Sequence, residues 1–291
     1  PKAVDKALFL IAPIVVFASI FAGYAALPLT TEVEGFGLSV GVFFLLAIVS
    51  IDVLGVLLAG WGSNNKYSLY GAMRSAAQVV SYEIPLGLSV LAVVMYYQTM
   101  DLQLISHQQG VLSEAPSYLF GIKSLEVSGV GGFLSWSVFT MPFMWIIFII
   151  FFISSLAESN RVPFDLPESE SELIGGYFTE YSGFRWGLFM LAEYAMMLLV
   201  SFLGAILFFG GWNTPLPNIG SLALADWTTG PLWGVVWLFG KATLFIFLQI
   251  VIRWTYPRLR VDQLMALSWK YLTPAAILLL FVVGIWKLWV I

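Results

Sequence analysis

The 291-residue sequence contains no cysteine and a single histidine, His107. Iron–sulfur clusters are ordinarily held by cysteine thiolates, and haem by axial His, Cys, Met or Tyr. Thiolate-held clusters are therefore excluded from this chain and a bis-histidine haem is impossible, so metal-based electron transfer falls to another subunit. The missing cysteines carry no information about redox compartment. Charge is scarce as well: Asp, Glu, Lys and Arg make up 10% of residues, against about 25% in a soluble domain. No basic run occurs and the net charge is −4, which argues against a nucleic-acid partner. GxGxxG, GxxxxGK[ST] and HExxH are missing, as is any nucleophile–base pair or metal-ligand spacing, so nothing marks the chain by itself as a kinase or hydrolase. No internal repeat of 20–50 residues appears, and the chain reads as a single domain spanning 1–291.

What is abundant is apolar surface. Hydrophobic residues make up 60% of the chain, with 12 Trp, 12 Tyr and 24 Phe, and the mean hydropathy is +0.91. A membrane-spanning helix needs about 20 apolar residues. Seven stretches qualify: 8–27, 38–58, 79–97, 136–157, 187–210, 232–252 and 272–291. In lipid the backbone must satisfy its own hydrogen bonds, and runs this long do so as helices. The alternation of a membrane barrel strand is absent. The expected fold is all-α, a polytopic bundle of seven transmembrane helices in this chain.

Lysine and arginine orient that bundle. Segments 1–7, 59–78, 158–186 and 253–271 hold Lys2, Lys6, Lys66, Arg74, Arg161, Arg185, Arg253, Arg258, Arg260 and Lys270. The intervening loops 28–37, 98–135 and 211–231 hold Lys123, and the C-terminal end adds Lys287. By the positive-inside bias, the first set faces the cytoplasm, or a mitochondrial matrix in an organellar protein. The bacterial inner membrane is the expected location. Loop 98–135 suggests no chemistry, and His107 within it is expected to be a solvated loop residue.

One of the inward segments gathers the acidic excess. ESNRVPFDLPESESELIGGYFTEYSGFR, residues 158–185, carries Glu158, Asp165, Glu168, Glu170, Glu172 and Glu180 against Arg161 and Arg185. Pro163 and Pro167 bar a regular helix between Arg161 and Glu168 and hold Phe164 beside Asp165. The 168/172 spacing puts two carboxylates on one face of any helical turn, where repulsion favours proton uptake or arginine partners. A solvated acidic loop is the alternative.

Charges inside the apolar runs are the second set of candidates: Asp52, Glu83, Glu193 and Lys241, with Glu158 at the end of its helix. An ion at mid-bilayer costs about 2.5–3.5 kcal/mol on insertion scales, so such residues usually face a wet or paired interior. Two readings fit them. They are a proton relay, or they pair structurally, for example Lys241 with Asp52 or Glu193 across the bundle. In segment 59–78, which reads as polar and then as the entry to the third helix, Arg74, Gln78 and Ser81 share one face above Pro85. Glu83, nine residues from Arg74, points to different neighbours.

These residues resemble a known family. ESNRVPFDLPESESELIGGYFTEYSG is similar to the signature of the quinone-site membrane subunit of respiratory complex I, the NADH-quinone oxidoreductase of respiratory chains. GWGSNNKYSLYGAMRSAAQVVSYEIPLGL at 60–88 and PRLRVDQLMALSWKYLTP at 257–274 agree with it, and the likeness runs over essentially the whole chain in order. The resemblance implies an eight-helix protein at the junction of a peripheral and a membrane arm, so a further helix and a quinone-loop segment are expected upstream of Pro1. It implies that Glu83, Glu158, Glu193, Asp165, Glu168, Glu170 and Glu172 serve a proton-relay or coupling role. It implies that Arg161, Phe164 and Asp165 line a quinone cavity, with Arg74 near its base. Quinone would be the substrate, bound at an interface, with no metal, haem or flavin in this chain. Iron–sulfur and quinone-site peripheral-arm subunits and small and antiporter-like membrane-arm subunits would be the partners, with lipid around them. Asp52 and Lys241 fall in no motif and inherit no role. The homologous membrane subunit of an energy-converting hydrogenase and a free-standing ion transporter are the alternatives.

Overall fold

The computed structural model describes residues 4–30, 37–110, 118–122, 127, 131–165, 175–218 and 224–290, without the side chains of 226 and 290. Helices dominate. In chain order they are α1 (Lys6–Tyr24), α2 (Gly41–Val49), α3 (Ile51–Gly62), α4 (Lys66–Tyr97), α5 (Leu102–Gln108), α6 (Ser137–Thr140), α7 (Met144–Glu158), α8 (Phe184–Phe208), α9 (Leu224–Trp227), α10 (Pro231–Thr255), α11 (Val261–Ala266) and α12 (Thr273–Val290). The expected all-α membrane bundle is what forms.

The seven apolar stretches map onto helices with informative differences. Among the described residues, six helical units are long and apolar enough to cross a membrane: α1, the α2–α3 pair, α4, α8, α10 and the continuous unit that includes α11 and α12. Stretch 136–157 divides into α6 and α7, and α7 alone has 15 residues, short of the length of a full crossing. Helix α4 starts at Lys66, well before residue 79, because the Asn65 side chain accepts the Tyr67 N–H at 3.1 Å and caps it. Its 32 residues run about 48 Å and so overshoot a hydrocarbon core of about 30 Å. At the other end of the chain, residues 261–271 are not loop. Val261 begins a helix that runs through a π-helical turn at Leu267–Leu272 into α12, so the DQLM motif sits on a helix entry.

Packing makes a closed ring. Helix α8 packs on α1, α1 on α3, α3 on α4, α4 on α7 and α7 back on α8, while α10 leans on α8 and α12 on α4. Burial follows that order: 78% of the apolar window of α8 is buried within the chain, against 22% for α10 and 28% for the last unit. The outer two helices therefore present most of their apolar surface outward, away from the rest of the chain.

On the face opposite the acidic loop, Gln109 holds the long connection in place. Its buried amide accepts the Ser137 N–H (3.2 Å) and the Gly210 N–H (2.9 Å), and donates to Ile206 O (3.0 Å). Loop 98–135, in which the sequence suggested no chemistry, thus ties α6 to the end of α8. His107 is exposed, beside a hollow of about 200 Å³ that Asn213, Thr214 and Thr229 also line.

Candidate functional site

The three motif stretches, far apart in sequence, converge at one end of the bundle. Stretch 60–88 meets 158–183 through several contacts. The Asn65 amide donates to Glu180 Oε1 at 2.9 Å, and the Ser68 hydroxyl to Tyr177 O at 3.3 Å. The Gln78 amide donates to Ala157 O at 2.7 Å and Asn160 Oδ1 at 3.2 Å. Stretch 257–274 meets 60–88 where the Tyr82 hydroxyl donates to Leu264 O (2.9 Å) and the Ser268 hydroxyl to Ser81 O (2.6 Å). It meets the loop where the Leu259 N–H donates to Pro163 O at 3.1 Å and the Arg258 guanidinium reaches Asp165 Oδ2 at 2.9 Å. Directed hydrogen bonds, not shared burial alone, build this end.

Close backbone approach is part of it. A Cβ on Gly71 would lie 2.7 Å from Gly176 Cα and 2.9 Å from Tyr177 N, both main-chain atoms that cannot swing aside. Gly71→Ala is expected to destabilise the protein by about 1–3 kcal/mol, the usual cost of overpacking. The measurement is the thermal unfolding midpoint of the purified protein; an unchanged midpoint would show that α4 and segment 176–178 are not tightly docked.

Of the span charges singled out from the sequence, all but Lys241 gather into one group on this side. Glu158 ends α7, is 6% exposed, and its Oε2 has no hydrogen-bond partner among the described residues. Glu193, on α8, faces the Arg161 guanidinium at 4.0 Å and receives the Tyr177 hydroxyl at 3.4 Å. Arg161 also lies over the Tyr194 ring, 4.2 Å from its centroid. Arg161 and Glu193 side chains are 11% and 10% exposed, so their attraction is little screened. Glu83 is half-buried on α4 beside Ser50, whose side chain also reaches Leu46 O at 2.9 Å. Glu158 and Glu193 share a narrow cavity of about 10 Å³, near the limit for a single water, lined also by Asp52, Asn160 and Tyr177.

The other expected residues fall nearby with different surroundings. Phe164 is 3% exposed and packed edge-on against Tyr82 at 5.4 Å, so it braces the loop from beneath and presents no open surface. Asp165 is buried and pairs with Arg258. Arg74 is half-buried on α4. Glu168, Glu170 and Glu172 lie outside the described residues. Arg161 lines a second hollow of about 160 Å³ with Tyr194, Met197, Gln249, Ile250 and Arg253. Among the described residues no three His, Asp or Glu side chains are grouped as a metal site. Outside the spans, burial pushes the Tyr181 hydroxyl above its ordinary range, partly offset by Arg185, and it remains a neutral donor to Phe9 O at 3.2 Å.

Lys241 stands apart from this group. Its ammonium donates to Phe209 O, Gly211 O and Asn213 O at 2.7, 2.9 and 2.7 Å and lies over the Trp136 ring. It binds the end of α8, and neither Asp52 nor Glu193 is its partner. Sequence spacing offered no sign of this, because its partners are carbonyls, which every residue has.

Chemically, the arrangement offers buried carboxylates in several distinct settings, one against a cation and others without one, around a space the size of a water molecule. Comparison with known proteins gives it a family. The NADH dehydrogenase family matches residues 1–284. The second of the H subunits of NADH-quinone oxidoreductase in Cytophaga hutchinsonii is 56% identical over 98% of this chain and 82% of its own length. The H subunit of the Chlorobium luteolum enzyme is 50% identical over 100% and 73%, and that of Bacteroides fragilis 44% over 93% and 69%. Matched along nearly its whole length, with its three motif stretches brought together at one end, the chain belongs to the NADH dehydrogenase family, that of the H subunit of NADH-quinone oxidoreductase, and is an integral membrane component of an oxidoreductase complex.

Proposed function

We propose that this end of the bundle forms part of the wall of a quinone cavity and couples quinone reduction to proton translocation. Reduction of a quinone to a quinol takes up two electrons and two protons. The electrons would come from an iron–sulfur partner in the peripheral arm, consistent with a chain that has no cysteine. The protein's own part is the proton side. Arg161, with Asp165 four residues on and Arg74 on α4, would face the cavity, and Phe164 would hold the loop in shape. Glu158, Glu193 and Glu83, with the loop acids, would pass a change of charge from the quinone into the membrane and on to antiporter-like subunits. The basic loops, with segment 158–185 among them, would face the cytoplasm of a bacterial inner membrane.

The observation that carries this reading is Glu158. A carboxyl 6% exposed, with a buried oxygen lacking any partner among the described residues and a cavity in front of it, is poorly explained as a structural contact. Intramembrane acids of that kind usually mark ion or proton paths. Glu158→Gln preserves size and hydrogen bonding but carries no proton to exchange. The assembled complex bearing it is expected to lose tenfold or more of its quinone reductase rate, or its coupling to pumping, on the scale of removing an acid–base group. Wild-type turnover and wild-type proton uptake in membrane vesicles would sink the relay.

A further inference from the structure

We propose that Asp52 is an additional proton-carrying group of this buried carboxylate set, facing Glu83 on one side and the cavity of Glu158 and Glu193 on the other. The inference rests on the relay reading above and extends it to a residue outside every motif. Asp52 lies in the first turn of α3, just past the break at Ser50 that separates α2 from α3. That break puts Ser50 against Glu83 and Asp52 at the cavity wall. Its Oδ1 is buried without a hydrogen-bond partner among the described residues. Glu83 and Glu158 both repel it electrostatically, so a negative charge on any one of the three disfavours a charge on the others.

The alternative is a structural ion pair, and the geometry removes it. Lys241 is engaged by three carbonyls at the end of α8, and the Arg161 guanidinium is paired with Glu193. Around the cavity α1 contributes only the apolar Val16 and Ile20. Among the described residues, the titratable and charged groups facing Asp52 are therefore Glu83 from α4, Glu158 from α7, Glu193 from α8 with Arg161 behind it, and the Tyr177 hydroxyl. Glu158 supplies an independent sign that the space is used, because it is 6% exposed and also has a buried oxygen without a hydrogen-bond partner among the described residues. A carboxyl with no cation beside it, across a water-sized space from two others, can give and receive a proton.

The test uses the whole complex in its native membrane, with Asp52→Asn, Asp52→Glu and Glu158→Gln compared. The expected result is normal assembly of Asp52→Asn with a quinone-dependent rate, or a pumping yield per turnover, reduced fivefold or more. The pH profile of turnover should change shape, and Asp52→Glu should recover at least half of the loss. Wild-type rate, pumping and pH profile in Asp52→Asn, alongside an impaired Glu158→Gln, would overturn the Asp52 inference and leave the relay standing. Wild-type behaviour in both would overturn both. Equal impairment in the Asn and Glu variants with an unaltered pH profile would make Asp52 a packing residue and also overturn it. Should Asp52→Asn fail to assemble, Asp52→Ser, which is small and polar but carries no exchangeable acid proton, is read against the same outcomes.

Discussion

Lys241→Met is expected to lower the stability of the protein by about 3 kcal/mol or more, and to reduce the yield of assembled complex accordingly. The –NH₃⁺ group has three donors and three carbonyls receive them, at 2.7, 2.9 and 2.7 Å, so no hydrogen-bonding capacity is left over. Those carbonyls belong to Phe209, Gly211 and Asn213, where α8 has just ended and its last C=O groups lack intrahelical partners. The helix dipole adds to the attraction for a cation there. Methionine keeps much of the stem's volume but leaves the acceptors in an apolar environment, where each unpaired group is costly. Lys241→Arg, which retains charge and donors but not the compact geometry, should fall between the two. The measurement is the thermal denaturation midpoint of the detergent-purified complex together with its recovered amount. A midpoint and yield equal to wild type in Lys241→Met would show that water or other groups replace the ammonium.

Much of this fold was legible because the membrane makes composition speak. Apolar runs near 20 residues have one way to satisfy their backbones, so α1, α4, α8 and α10 could be placed from residue type alone. Their ends could not. Asn65 starts α4 by capping it, and Val261 starts the last helix within a stretch rich in Arg and Asp; both are local events that a hydropathy count smooths over. Within the site, the sequence could nominate Glu83, Glu158, Glu193 and Arg161, since a charge among apolar residues stands out. It could not say which meets which. Arg161 reaches Glu193, 32 positions on, because α7, which ends just before Arg161, packs against α8. Asp52 and Lys241 looked like a possible pair by charge alone, yet one faces a cavity and the other a helix end. Gln109 carried no signal at all, for an amide in a polar loop is ordinary until it is found fully buried.

Arg161→Met is expected to destabilise the protein by about 3–5 kcal/mol, the range for leaving one member of a buried ion pair without its partner. Arg161 is the cation paired with Glu193, and its guanidinium also covers the Tyr194 ring at 4.2 Å, so methionine replaces some of the packing but none of the charge. The pair is 4.0 Å apart, longer than a hydrogen bond, and the attraction is chiefly that of charge in a poorly screened place. A double-mutant cycle separates that attraction from simple loss of packing. If the charges couple, Arg161→Met with Glu193→Gln is less unstable than the sum of the single variants by about 1 kcal/mol or more. Additivity within about 0.5 kcal/mol would mean that the pair contributes little and that Arg161 acts through Tyr194. Function gives the second reading. The double variant regains stability but has neither the cation at the loop nor the exchangeable proton on α8, so its quinone-dependent turnover should stay at least as low as in either single variant. Recovery of turnover along with stability would confine both residues to a structural role and would leave Glu158 to carry the coupling without Glu193.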